Sequence, residues 1–139
     1  MSLKAEKYEQ ISVFLENRPG VVADLCNALT EQDISIRAMT VLDTIDIGTM
    51  RIVVDQPERA KETLQTAGAA YVLVPVIGVE MPNKPGAFGH IAHLLANQGV
   101  NIEYVYATIM PGAESTLMVL RVTTEAVDRA LDALCNATD

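Results

Sequence analysis

Two pentapeptides decide the fold, Glu16-Asn17-Arg18-Pro19-Gly20 (ENRPG) and Pro82-Asn83-Lys84-Pro85-Gly86 (PNKPG). Each follows an alternating apolar run and precedes an apolar run of helical spacing. Shifting the sequence on itself by 66 residues lays Ile11–Thr40 onto the second half without a gap. Ile11 meets Ile77, Val13 meets Val79, Asn17 meets Asn83, and Pro19-Gly20 meets Pro85-Gly86. A repeat of this kind sets the architecture before any single element is assigned.

Each copy reads alike. Ile11, Val13 and Leu15 alternate with Gln10, Ser12 and Phe14 as in a strand, and Ile77, Val79 and Met81 repeat the pattern. Val22, Leu25, Cys26 and Leu29 then recur on one helical face, as do Phe88, Ile91, Ala92 and Leu95. Proline suits a helix start, where its missing N–H would be unpaired anyway. Second strands are expected at about Ile34–Leu42 and Val100–Ile109, then turns holding Asp46 and Gly48 or Pro111-Gly112. Third strands follow at Thr49–Asp55 and Ser115–Thr123. One second helix begins at Pro57 and stops at Gly68; the other has Thr124 as N-cap and Val127, Leu131 and Leu134 inward. Ala70–Val74 makes a fourth strand.

The expected fold is α+β: two ferredoxin-like βαββαβ modules, 8–75 and 76–139, with antiparallel sheets and helices on one face. The second module lacks its last strand, because the sequence ends after its second helix. In the strand order 4-1-3-2 this bares Val76–Met81 as an open edge, which invites aggregation unless covered. Another chain, or a segment from elsewhere in this one, is expected to pair there.

Composition narrows the function. Half of the 139 residues are hydrophobic and a fifth are charged, enough apolar material for a packed core. A net charge of −8, with acidic residues scattered, argues against nucleic acid, whose affinity comes mainly from Lys and Arg on phosphates. The longest uncharged stretch, Ala67–Val79, is well short of the roughly 20 residues a membrane span requires. The start of the chain, Met1–Lys7, is polar and charged and shows no signal peptide, so a cytoplasmic protein is expected. Cys26 and Cys135 lack metal or redox spacing and read as small buried hydrophobes.

No nucleophile motif, phosphate loop or cofactor fingerprint is present, so neither catalysis nor a cofactor is expected. His90 and His93 lie off the apolar stripe of their helix with no third ligand near in sequence, so no metal site is expected. Arg18 and Lys84 stand where ferredoxin-like acylphosphatases place a phosphate-gripping Arg, but a proline follows each and no glycine-rich cradle surrounds them. The Asn-x-Pro-Gly turn suits binding better. A helix N-terminus carries unpaired N–H groups under a partial positive potential, where a small carboxylate can dock. Gly20 or Gly86 allows close approach, and Asn17 or Asn83 offers donor and acceptor to an ammonium-carboxylate ligand. A plain strand-to-helix turn would favour the same residues for conformation alone. Keeping Asn, Pro and Gly together in both copies adds weight to binding.

On these residues the stretches ISVFLENRPGVVADLCNALTEQDISIRAMTV (11–41) and IGVEMPNKPGAFGHIAHLLANQGVNIEYVYA (77–107) resemble the ACT domain, a small-molecule-sensing module of amino-acid metabolism. The resemblance implies modules that pair side by side through strand 2, with amino-acid effectors at the seam. In the similar serine-sensing modules of phosphoglycerate dehydrogenase, the Asn before Pro-Gly and the Asn opening strand 2 hold the effector from opposite modules. Carried over by motif, the ligand-binding set is Asn17, Pro19, Gly20 and Val21, with Asn83, Pro85, Gly86 and Ala87 in the second copy. Asn101 opens strand 2 in the second copy and Ser35 replaces it in the first. With the copies so paired, Asn17 faces Asn101 and Asn83 faces Ser35, and the Asn17/Asn101 site is expected to bind more tightly. The expected protein is a non-catalytic regulator, a homodimer that binds an amino acid and controls an amino-acid-metabolism enzyme in trans. The alternatives are a dimerisation scaffold with vestigial sites and an acylphosphatase-like enzyme.

Overall fold

The computed structural model describes residues 3–43 and 47–137; Asp46, expected in the first hairpin turn, lies outside them. The chain packs as two compact units, residues 9–74 and residues 75–139 together with 1–8. Packing therefore assigns the N-terminal residues to the second copy of the repeat.

The 9–74 unit holds most of β1 (Lys4–Glu16), then α1 (Val21–Glu31), β2 (Ile36–Asp43), β3 (Ile47–Val54), α2 (Pro57–Thr66) and the start of β4 (Ala70–Pro82). Its strand order is β2-β3-β1-β4. β3 runs antiparallel to both neighbours, with Ile52 opposite Ile11 and Met39, and Met50 opposite Val13 and Val41. The other unit continues β4 into α3 (Ala87–Asn97), β5 (Tyr104–Tyr106), β6 (Ser115–Arg121), a 3₁₀ turn (Thr124–Ala126) and α4 (Val127–Cys135). Its strand order is β1-β4-β6-β5, with Ile77 opposite Leu120 and Val79 opposite Met118. Both orders are the 4-1-3-2 of a ferredoxin-like module.

The start of β1 fills the place of the missing fourth strand. Leu3 and Ala5 pack against the 75–139 core. The Leu3 N–H donates to the Leu134 carbonyl at 3.3 Å, and the Cys135 thiol donates to the Ala5 carbonyl at 3.3 Å. Lys4 lies 3.8 Å from Glu80. The Tyr8 ring covers Gly78 so closely that an added Cβ would come within 2.1 Å of it. A segment of the same chain thus covers the edge at β4.

The cores repeat. Ile11, Val13, Leu15, Met50 and Ile52 meet Leu25, Leu29, Ala60 and Leu64 in one unit. In the other, Ile77, Val79, Met118 and Leu120 meet Ile91, Leu95, Ala130 and Leu134. Truncating such a residue to alanine typically costs about 2–5 kcal/mol. Lys61 on α2 reaches Glu58 at 2.7 Å and Glu9 at 3.5 Å. The hydrogen bond to Glu58 raises its pKa above the ordinary lysine value despite partial desolvation.

Several expectations are corrected. β1 and β4 each run for 13 residues, so the expected fourth strand, Pro75 and the second copy's first strand form one element. Pro75 has no N–H to donate, but its carbonyl accepts from Arg121 Nη1 at 2.8 Å. β5 spans three residues rather than ten. The chain beyond it turns at Met110–Ala113 by main-chain bonding instead of continuing the ladder. Thr124 caps no helix; Thr123 precedes the 3₁₀ turn and the Thr124 hydroxyl accepts from Arg121 at 3.3 Å. Phe88 is exposed and Ala87 takes its place on the buried stripe of α3. Cys26 is half-buried and Cys135 exposed, because the latter sits at the surface end of α4.

The helix ends show what the repeat requires. Val100 and Gly99 donate to Leu95 and Ala96 after α3, and Ile34 and Asp33 donate to Leu29 and Thr30 after α1. Both are Schellman closures, which place one residue in the left-handed region. Gly99 takes it at φ +68°, but in the first copy Asp33 does so at φ +56°. Asp33→Gly is expected to stabilise the 9–74 unit by about 0.5–1 kcal/mol, by relieving the strain of a left-handed residue with a side chain. Urea denaturation measures this. Gly78→Ala is expected to cost about 1–3 kcal/mol by overpacking against Tyr8. In a Tyr8→Ala background that cost shrinks, as a double-mutant cycle will show.

Candidate functional site

The two Asn-x-Pro-Gly turns link a strand end to a helix start by the same bonds. After β1, the Arg18 N–H donates to the Glu16 carbonyl at 2.9 Å, and after β4 the Lys84 N–H donates to the Pro82 carbonyl at 3.1 Å. Gly20 (φ +91°) and Gly86 (φ +85°) then occupy the left-handed region as N-caps, with no side-chain cap on either helix. The first helical bonds run from Asp24 to Gly20 and from His90 to Gly86, both at 2.9 Å. A Cβ built on either glycine would meet nothing within 4 Å, so the space above each turn is open to an incoming group. A left-handed glycine there aims the helix N–H groups outward, and the helix dipole makes that end attractive to an anion.

The asparagine of the second turn has two tasks. The Asn83 N–H donates to the Glu114 carbonyl and its Nδ2 to the Ala113 carbonyl, each at 2.8 Å. The amide donor thus braces the loop before β6, and its carbonyl oxygen accepts no hydrogen bond among the described residues. Asn17 holds the equivalent position after β1. Charge separates the turns. Asp24 sits in the first turn of α1, and Arg18 Nε donates to Glu16 at 2.8 Å. The first turn of α3 has no acidic residue, and Lys84 lies beside it. The start of α3 thus lacks the negative charge that stands at the start of α1.

The other two predicted residues lie elsewhere in each unit. Asn17, Pro19, Gly20 and Val21 gather before α1, whereas Ser35 follows it. Asn83, Pro85, Gly86 and Ala87 gather before α3, and Asn101 follows that helix. Eleven helical residues separate the ends by about 16 Å, so neither unit alone joins its turn to its strand-2 residue. The Ser35 N–H donates to Asp55 at 2.9 Å and its carbonyl accepts from the Asp55 N–H at 3.1 Å. Asn101 is exposed and its side chain makes no hydrogen bond among the described residues. Asp55 is a member that sequence reasoning missed; only the strand pairing reveals that it pins the entry to β2. Among the described residues β2 pairs with β3 alone and β5 with β6 alone.

Known proteins share this fold. A family model described as an ACT domain pair matches residues 7–137. The chain belongs to the ACT domain pair family. A protein from Bacteroides thetaiotaomicron matches with a TM-score of 0.85 at 28% identity, covering 94% of this chain and 88% of that one. The ligand-free regulatory subunit of aspartate kinase from Thermus thermophilus matches with a TM-score of 0.73 at 21% identity, covering 100% and 98%. The regulatory subunit of aspartate kinase from Thermus flavus gives 0.69 at 20% identity, covering 96% and 95%. No curated protein matches the sequence. No group of three or more His, Cys, Asp or Glu is placed to hold a metal among the described residues. No helix among them is long and apolar enough to cross a membrane.

Gly20→Ala and Gly86→Ala are each expected to cost about 1–2 kcal/mol, from backbone strain alone, because nothing obstructs the new methyl group. Chemical denaturation checks this, and a larger loss would point to a contact at the turn.

Proposed function

We propose that this ACT domain pair is a non-catalytic regulator that binds a small amino acid at its Asn-x-Pro-Gly turns. The observation that carries the reading is the duplicated uncapped helix start, open above a left-handed glycine and preceded by an asparagine. The carboxylate would accept from first-turn N–H groups of α1 or α3, other than that of Ala87, which donates to the Lys84 carbonyl at 3.2 Å, and the ammonium would donate to the asparagine carbonyl. The residues are Asn17, Pro19, Gly20 and Val21 at one turn and Asn83, Pro85, Gly86 and Ala87 at the other. Ser35 and Asn101 would complete them from a paired module.

That module would come from a second copy. β2 carries exposed Met39, Val41 and Leu42 along an edge with unpaired main-chain groups, an arrangement that soluble proteins seldom leave uncovered. A homodimer joined through strand-2 edges would set Asn17 against Asn101 of the partner subunit. An amide carries its donor and acceptor on separate atoms, whereas a serine hydroxyl carries both on one oxygen; this difference would outweigh the Asp24 carboxylate in the first turn of α1, so the Asn17/Asn101 pairing would outbind one backed by Ser35. The regulated enzyme would be a separate polypeptide, an aspartate kinase or an enzyme of that kind. Supporting this is the match across 98% of a regulatory subunit of aspartate kinase from Thermus thermophilus. Against phosphate chemistry stands Arg18, whose guanidinium is engaged by Glu16 at 2.8 Å.

A thermal-shift screen of the standard amino acids tests the binding, since a ligand of the native state must raise stability. At least one is expected to stabilise the protein; no stabilisation by any would leave a dimerisation scaffold. Asn101→Ala is expected to weaken binding about tenfold or more, the loss of one hydrogen bond to a charged group. Val41→Lys on the β2 edge is expected to shift the protein toward monomer by light scattering and to reduce affinity in step.

A further inference from the structure

A second duplicated feature lies away from the turns, on the helical layer. In the 9–74 unit a groove of about 410 Å³ runs between α1 and α2, and in the 75–139 unit one of about 450 Å³ runs between α3 and α4. Each is lined by eight residues, and every lining position in one corresponds to a lining position in the other. The correspondence is an offset of 66 residues for α1 and α3, as in the repeat, and of 70 for α2 and α4, where Ala60 and Leu64 fall on Ala130 and Leu134.

The chemistry kept in both grooves is selective. Arg59 matches Arg129, Glu62 matches Asp132, and Gln32 on the facing helix matches Gln98. All six are exposed, so core packing does not demand them. Exposed or half-buried neighbours on the same helices have changed: Lys61 to Leu131, Gln65 to Cys135, Asp24 to His90 and Asn27 to His93. Glu58 and Asp128 also keep their charge, but each lies in the first turn of its helix, where the dipole favours an acid. No such reason covers the Arg and the acid three residues on. Nor do they satisfy each other: Arg129, Glu62 and Asp132 make no side-chain hydrogen bond or ion pair among the described residues, and Arg59 makes a single contact, 3.4 Å to Gln56.

We propose that these grooves are a second pair of binding sites, equivalent in the two units, for a small zwitterion bearing a carboxylate and an ammonium. The guanidinium of Arg59 or Arg129 takes the carboxylate, which it can bind with two parallel bonds. The carboxylate of Glu62 or Asp132, one helical turn along, takes the ammonium. Gln32 or Gln98 supplies a carboxamide from the opposite wall. The volumes lie in the range of small-molecule sites, and the open walls imply weak, salt-sensitive binding. The inference does not depend on the turns being occupied.

Titration of the ¹⁵N-labelled full chain with each standard amino acid tests it, with acetate and methylammonium as single-charge controls. At least one amino acid is expected to cause saturable amide shifts along α2 and α4 together, with both controls far weaker. Arg59→Gln with Arg129→Gln, exposed changes that leave the fold intact by circular dichroism, is expected to weaken binding there about tenfold or more. Shifts at 17–21 and 83–87 report the turn sites separately and are expected to survive in that variant. The proposal is overturned by no saturable shifts on α2 and α4, or by shifts in one unit alone. It is equally overturned by an equal response to acetate, or by shifts that persist in the double variant.

Discussion

Main-chain hydrogen bonding along β1 and β4 is the interaction on which the rest of the molecule depends. An unpaired strand edge inside a sheet leaves polar groups without partners, so a module that lacks its fourth strand must find one. Residues 3–8 meet that need in the 75–139 unit, and residues 70–74 serve as the fourth strand of the other. Each long strand then runs directly into an Asn-x-Pro-Gly turn and a helix. The two turns are placed alike because the strands that carry them are built alike.

What those turns can do follows from groups left over after the fold is satisfied. A glycine at positive φ ends the strand and starts the helix without a side-chain cap, and a Cβ on it would meet only open space. At Asn83 the amide donor braces a loop, and the amide oxygen accepts no hydrogen bond among the described residues. The two turns are alike in backbone but differ in charge. Asp24 and the Glu16–Arg18 pair surround one, while the other has Lys84 and no acid. A duplicated backbone has thus been given two electrostatic settings.

The residues from Ile11 to Thr40 and their repeats made the fold class and the turns legible, because period, proline and left-handed glycine are local properties. Less was legible wherever an answer depended on which strand lies beside which. The short β5 could not be foreseen from an apolar run that continues to Ile109. Asp55 looks like the end of a strand until pairing brings it to the Ser35 N–H. Gly78 looks like a defect in a strand until Tyr8 is laid over it. The grooves between helices were hidden for another reason: their residues are spaced like any solvated face, and only the packing of helix on helix assembles them.

The sequence by itself determined the βαββαβ order, its duplication, and the two glycine-ended turns at the same junction. Each of these is written in spacings of a few residues, where backbone sterics and apolar periodicity act without reference to distant chain. Only the tertiary structure decided what completes the strand set of the second copy, because a missing strand can be replaced by any segment that reaches the edge. That the segment is the start of β1 follows from Leu3 and Ala5 entering a core made by residues more than 70 positions away.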